Sequence, residues 1–150
     1  SAHAQELWWY AFEEALARAD SSGRPVLVDV YAPWCGWCRK MKREVYPSEA
    51  VRGCLARGFV LTRLNRDDTE TTHRYRGRRL SSFRLAQALH AAAVPTIALL
   101  APDGRYLLHV SGFVEAHELV PVLAYVTTGA YRRQSFEAFR AQGAPFACQR

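Results

Sequence analysis

Between Pro25 and Tyr31 the chain reads Val26-Leu27-Val28-Asp29-Val30, a nearly unbroken, valine-rich apolar run. A strand wetted on one face alternates apolar with polar residues. A continuous run belongs to a strand covered on both faces, as in a sheet with parallel neighbours. Such a strand sits in the middle of a layered α/β domain, and the rest of the chain must supply its cover. Immediately beyond it, after Pro33, the pattern changes to that of a helix from about Cys35 to Val45, which Pro47 breaks. Cys35 and Cys38 therefore stand at a strand-to-helix junction.

The remaining periodicity is consistent with that frame. Leu7, Trp8, Ala11, Phe12, Ala15, Leu16 and Ala19 recur at helical spacing and predict a first helix from about Glu6 to Asp20, stopped by Ser21-Ser22-Gly23. Ser48 can cap a helix to about Ala56, and Phe59 to Leu64 reads as a strand. Arg66 to Leu80 is polar and without period, so it is expected as a surface loop. Ser81 or Ser82 caps a helix bearing Leu85, Ala86, Leu89 and Ala93. Thr96–Leu100 and Tyr106–Val110 read as strands joined by the turn Pro102-Asp103-Gly104. Helices from about Ala116 to Thr128 and Phe136 to Gln142 close the chain. The order α-β-α-α-β-α-β-β-α-α implies an α/β fold, a central mixed sheet flanked by helices, with an N-terminal helix and a short C-terminal helical extension. A length of 150 residues suits one domain, 1–150, with a core at about 11–126 and an extension over 127–150.

Composition narrows the function classes. No apolar run approaches the roughly 20 residues that span a bilayer. The net charge of +6, carried mostly by arginine, is concentrated at Arg39-Lys40-Met41-Lys42-Arg43 and Arg74-Tyr75-Arg76-Gly77-Arg78-Arg79. No nucleic-acid motif accompanies these clusters, so they read as solvated basic surface rather than a nucleic-acid site. Ala2-His3-Ala4 has the small-x-small form of a signal-peptidase site, with Gln5 beginning the mature chain.

The spacing of Cys35 and Cys38 at a helix start carries chemistry. Unpaired backbone N–H groups and the positive end of the helix dipole favour thiolate over thiol there, lowering the pKa below the free value of ~8.5. Cys38 lies one turn on, beside Cys35 and expected to be the more buried. It can attack a mixed disulfide formed at Cys35 and release the partner. Cys35 is thus the expected nucleophile and Cys38 the resolving thiol. A zinc knuckle would need a second ligand pair, which the sequence lacks, so no metal is expected. Haem attachment would need His where Arg39 stands. Asp29, six residues before Cys35 in an apolar strand, is expected to be desolvated, with its pKa raised. That suits proton exchange with Cys38, the alternative being an outward aspartate without a role.

The segment Pro25-Val26-Leu27-Val28-Asp29-Val30-Tyr31-Ala32-Pro33-Trp34-Cys35-Gly36-Trp37-Cys38 resembles the active-site strand and turn of the thioredoxin superfamily. Ala93-Val94-Pro95-Thr96 resembles that family's second landmark, a cis-proline facing the dithiol, with Gly112 following in the closing hairpin. The resemblance covers about Ala11 to Val126. Within the superfamily the chain is most similar to exported thioredoxin-like disulfide reductases, including those associated with sulfur oxidation. The long Arg66–Ser82 connection and the Gly129-Ala130-Tyr131 tail are shared with that group. The resemblance implies a thioredoxin fold and a thiol-disulfide oxidoreductase that reduces partner disulfides through a Cys35–Cys38 cycle, without a cofactor. Disulfide oxidase or isomerase activity, or a redox-inactive binding module, are the alternatives.

By the same resemblance, Val94 and Pro95 flank Cys35 and hold an extended substrate segment. Together with Trp34, Gly36 and Trp37 they form the substrate-binding set. Partners are then disulfide-bearing proteins and a membrane or soluble thiol electron donor, met by a monomer in an extracytoplasmic compartment, with a cytoplasmic location as the alternative. Trp37 departs from the proline usual between the cysteines of thioredoxin, which leaves the direction of electron flow open.

Other residues read as structural. Trp8 is expected in the core beneath the first helix, with a partner-binding patch as the alternative. His73, His90, His109 and His117 show no ligand spacing and read as surface or capping residues. Cys54 and Cys148 are expected as buried or free thiols, a disulfide between them being the alternative if the tail folds back.

Overall fold

The computed structural model describes residues 6–148, so the Ala2-His3-Ala4 feature lies outside the described residues. Five strands form one sheet in the order β1-β3-β2-β6-β7: β1 (Trp9–Tyr10), β2 (Val26–Tyr31), β3 (Val60–Asn65), β6 (Thr96–Leu100) and β7 (Tyr106–Ser111). The pairs β1–β3 and β2–β3 are parallel, and β2–β6 and β6–β7 are antiparallel. The valine-rich run is the middle strand of this mixed sheet.

Pleating sends successive residues of β2 to opposite faces. Val26, Val28 and Val30 join one core with Phe12, Ala15 and Ala19 of α1 (Phe12–Ser22) and Leu85 of α4 (Ser82–Ala88). Leu27 joins the other with Met41, Val45 and Tyr46, with Leu55 of α3 (Glu49–Gly58), and with Leu119 and Leu123 of α5 (Ala116–Thr127). Asp29 shares the pleat of Leu27, so its carboxylate is aimed at the second core rather than at water. It is 2% exposed.

Two expectations about the first half of the chain are corrected. The first helix does not begin at Glu6: Trp9 and Tyr10 pair with Leu61 and Thr62 as an edge strand, and α1 starts at Phe12. Residues 7–10 alternate, Leu7 and Trp9 lying on one core and Tyr10 on the other. The aromatic run therefore follows a period of two, as β-favouring residues do on a pleated surface. Trp8 is accordingly not in the core but 68% exposed.

The stretch expected as a loop folds into a second sheet, β4 (Thr72–Tyr75) against β5 (Arg78–Ser81). Arg76 and Gly77 between them both take positive φ, 51° and 82°. That is the pattern of a type I′ turn, one of the two-residue turns whose twist matches the flanking strands. Tyr75 and Leu80 fill its inner side, and the Tyr75 hydroxyl donates to the Gly104 carbonyl at 2.7 Å.

The helix after the cysteines is also not uniform. α2 (Gly36–Lys40) widens into a π-turn over Met41–Val45, where the Tyr46 N–H reaches the Met41 carbonyl at 3.0 Å. The extra residue in that turn brings Val45 and then Tyr46 in succession into the core.

Cys54 and Cys148 are not free: they form a disulfide across 94 residues, with Cα atoms 5.3 Å apart. It holds the C-terminal segment against α3. Phe139 of α6 (Phe136–Ala141) packs with tilted rings on Tyr125 of α5 and on Phe146, at 5.5 and 5.4 Å.

One buried group in the sheet lacks a partner. The hydroxyl of Thr62, fully buried on β3, has no hydrogen bond. Leaving a hydroxyl unpaired in an apolar setting costs about 1–3 kcal/mol. Thr62→Val, which keeps the shape, should raise the unfolding midpoint in a denaturant titration. An unchanged or lowered midpoint would show that the hydroxyl is satisfied in solution.

Candidate active site

Cys35 is the N-cap of α2, and its Sγ accepts the backbone N–H of Cys38 at 3.1 Å. The two cysteines are joined in a disulfide with Cα atoms 5.2 Å apart. This is the junction the sequence placed between a buried strand and a helix. The strand fixes the approach, the Cys35 N–H donates to the Ala32 carbonyl at 3.1 Å, and Arg39 donates to the Pro33 carbonyl at 2.9 Å. Each anchors the turn to the helix behind it.

The expected difference in burial is not found: Cys35 is 3% exposed and Cys38 5%. Cys35 is packed against Ala32 and Val94. Cys38 borders a cleft of about 220 Å3 that it shares with Tyr31, Pro33, Arg39, Lys42 and Arg63. The open side of the disulfide thus faces basic side chains.

The loop before β6 closes over the sulfurs. Its Val94–Pro95 peptide is cis, Val94 packs on the cysteine pair, and the Pro95 carbonyl accepts the Gly112 N–H at 2.7 Å. Gly112 takes φ 84°, a left-handed conformation that a side chain resists, at the point where β7 turns toward α5. Thr96 Oγ1 donates back to the Ala93 carbonyl at 2.6 Å.

Two exposed indoles flank the pair. Trp34 Nε1 donates to Asp67 Oδ2 at 2.6 Å, Arg66 donates to Asp67 Oδ1 at 2.8 Å, and Arg66 also bonds the Ala92 carbonyl. The hydrogen bonds from Trp34 and then Arg66 hold the Asp67 carboxyl below its usual pKa. This chain of contacts links the active-site turn to the loop carrying Val94 and Pro95. On the other side Trp37 lies 5.4 Å from Phe113, with the Lys40 ammonium over both rings at 5.3 and 4.9 Å. Gly36 is exposed between the two indoles.

Beneath the helix, Asp29 is not alone. Arg63, its register partner on β3, places Nε and Nη2 each 2.9 Å from Oδ2. The Tyr46 hydroxyl donates to Oδ1 at 2.7 Å. Burial pushes the Asp29 carboxyl up, against the opposing pull of Arg63, Tyr46 and Lys42. Burial, then the Asp29 charge, pushes the Tyr46 phenol far up.

Arg63, Tyr46, Asp67, Arg66 and Phe113 were not singled out in the sequence. Arg63 alone left a signal there, as the only charged residue in the stretch from Phe59 to Leu64. Among the described residues no three His, Cys, Asp or Glu side chains gather as a metal site, and no helix is long and apolar enough to cross a membrane.

The thioredoxin-like domain family matches residues 12–127, which is more than half of the chain. The chain belongs to the thioredoxin-like family. It is 32% identical over 118 residues to the thiol:disulfide interchange protein DsbD 1 of Pseudomonas aeruginosa, covering 77% of this chain and 18% of that protein. It is 43% identical over 44 residues to DsbD of Ralstonia nicotianae, covering 29% of this chain and 7% of that one. The chain thus spans less than a fifth of either relative. Among solved structures, a thioredoxin-fold protein from Helicobacter pylori superposes with a TM-score of 0.70 at 17% identity, over 81% of this chain and 84% of that one. Such a likeness establishes the thioredoxin fold: a central mixed sheet between helical layers.

Proposed function

We propose that the chain is a protein-disulfide oxidoreductase that reduces disulfides of partner proteins in an extracytoplasmic compartment. The observation that carries this reading is the Cys35–Cys38 disulfide at a helix start, with Cys35 Sγ receiving a backbone N–H beneath the cis Val94–Pro95 loop. In the reduced protein the Cys35 thiolate attacks a partner disulfide, and the partner's other sulfur leaves. Cys38 loses its proton to Asp29 and attacks Cys35 Sγ. The Cys35–partner bond breaks, the second partner sulfur leaves, and the internal disulfide forms. Two electrons pass to the partner, and a thiol donor, membrane-bound or soluble, restores the dithiol. Trp34, Gly36, Trp37, Val94 and Pro95 form the surface on which an extended partner segment lies.

Two features support this reading. The relatives named thiol:disulfide interchange proteins agree with exchange chemistry. A second disulfide outside the site, Cys54–Cys148, suits an oxidising compartment.

The test is insulin reduction with dithiothreitol as donor, together with the equilibrium potential of the dithiol. Cys35→Ser should fall to the uncatalysed rate. Activity surviving in that variant, or a potential near the roughly −120 mV of a strong oxidant, would overturn the reductase reading.

A further inference from the structure

We propose that Tyr46 is a positioning residue of the exchange reaction: its hydroxyl holds Asp29 Oδ1 and so sets the pH at which Asp29 can take the Cys38 proton. The proposal rests on the reductase reading above and deepens it. Tyr46 has no sequence signal for such a role, and the π-turn alone delivers it. The turn carries Tyr46 into the core, where its hydroxyl donates to Asp29 Oδ1 at 2.7 Å. Its ring lies 5.5 Å from Trp9 of the edge strand β1. Trp9 also lies 5.3 Å from the Arg63 guanidinium, which Tyr31 covers from another side at 4.9 Å. Arg63 in turn holds Asp29 Oδ2. Trp9, Tyr46, Asp29 and Arg63 thus form a closed set, each contacting the next, with one donor residue on each carboxylate oxygen.

The charged and titratable groups facing Asp29 are Arg63 from β3 and Tyr46 and Lys42 from the π-turn, while its partner on β6, Ile97, brings none. A phenol is only a donor toward a carboxylate, and a hydrogen bond to a buried charge is about twice as strong as one between neutral groups. The Tyr46 hydroxyl therefore favours the ionised acceptor. The proton it makes room for leaves Cys38 Sγ–H for Asp29 as Cys38 attacks Cys35. Cys38 and Arg63 line one cleft, so the thiol and the carboxylate's ion-pair partner share one space.

Tyr46→Phe keeps the ring against Trp9 and removes only the hydroxyl. The Asp29 carboxyl is followed by 13C NMR in the oxidised protein, a readout that needs no substrate, and release of a mixed disulfide from Cys35 is followed across pH. Tyr75→Phe is the control, since it deletes a buried tyrosine hydrogen bond in the opposite core. In Tyr46→Phe the Asp29 titration and the rising limb of the release profile should both move up by about one pH unit, a tenfold loss of rate on that limb. Tyr75→Phe should move neither. An unmoved Asp29 titration in folded Tyr46→Phe, or equal movement in both variants, overturns the proposal. A shifted titration in a protein whose wild type reduces no disulfide overturns the proposed function and leaves the Tyr46–Asp29 coupling standing.

Discussion

Arg63→Leu should cost the protein about 3–5 kcal/mol of unfolding free energy at pH 7 and much less near pH 4. Asp29 is buried, and its ion pair with Arg63 is the strongest compensation for that burial. Removing one partner of a buried pair leaves an uncompensated charge, which is far more damaging than replacing both. The sign of the pH dependence follows from burial, which raises the Asp29 pKa in the folded protein above its unfolded value. A carboxyl raised in this way contributes stability below its unfolded pKa and loses it as pH rises through the folded pKa. Without Arg63 the folded pKa rises further. The variant therefore departs from wild type as pH rises above the wild-type folded pKa, and approaches it below that pKa, where Asp29 is protonated in both folded proteins. Urea unfolding at several pH values reads this directly. Asp29→Leu combined with Arg63→Leu should recover most of the loss at neutral pH. A deficit in Arg63→Leu that is independent of pH would mean that the side chain acts by packing on Trp9 and Tyr31 rather than through the carboxylate.

Removing the second disulfide should have an effect of similar size by a different route. Cys54 and Cys148 close a loop with a sequence separation of 94. Cross-linking a loop of that length removes entropy from the unfolded chain worth roughly 4.6 kcal/mol on the chain-entropy account. Cys54→Ala with Cys148→Ser should accordingly lower the melting temperature by about 10–18 °C, at the 2–4 °C per kcal/mol usual for a chain of this size. The loss should centre on the C-terminal segment, where Phe139 packs on Phe146, and appear there first in hydrogen exchange. Exchange activity through Cys35 and Cys38 should persist. A melt unchanged by the double substitution would show that the tail is held by its aromatic packing alone.

The parts of the fold that were legible in the sequence are those where one local pattern had one physical solution. A valine-rich run can be buried only on both faces, Pro47 must end a helix, and Pro102-Asp103-Gly104 must turn. The parts that were misread are those where local pattern and tertiary context compete. The spacing of Trp8, Ala11 and Phe12 fits a helix, yet pairing with β3 makes the preceding residues a strand. Arg74 to Arg79 carries no apolar alternation, because the inward positions of the hairpin are filled by His73, Tyr75 and Leu80 while Thr72, Arg74, Arg78 and Arg79 remain exposed.

The active site divides along the same line. Residues 25–38 determined by themselves that two cysteines stand at a helix start behind a buried strand, with one carboxylate inside it, because burial and helix geometry act over a few neighbouring residues. What they could not determine is which groups meet that carboxylate. Arg63 reaches Asp29 through strand register, Tyr46 through a π-turn that shifts the helical period, and Trp9 through an edge pairing. Cys148 reaches Cys54 across 94 positions. Each of these contacts depends on how separate elements pack, and no local spacing encodes a distance between them.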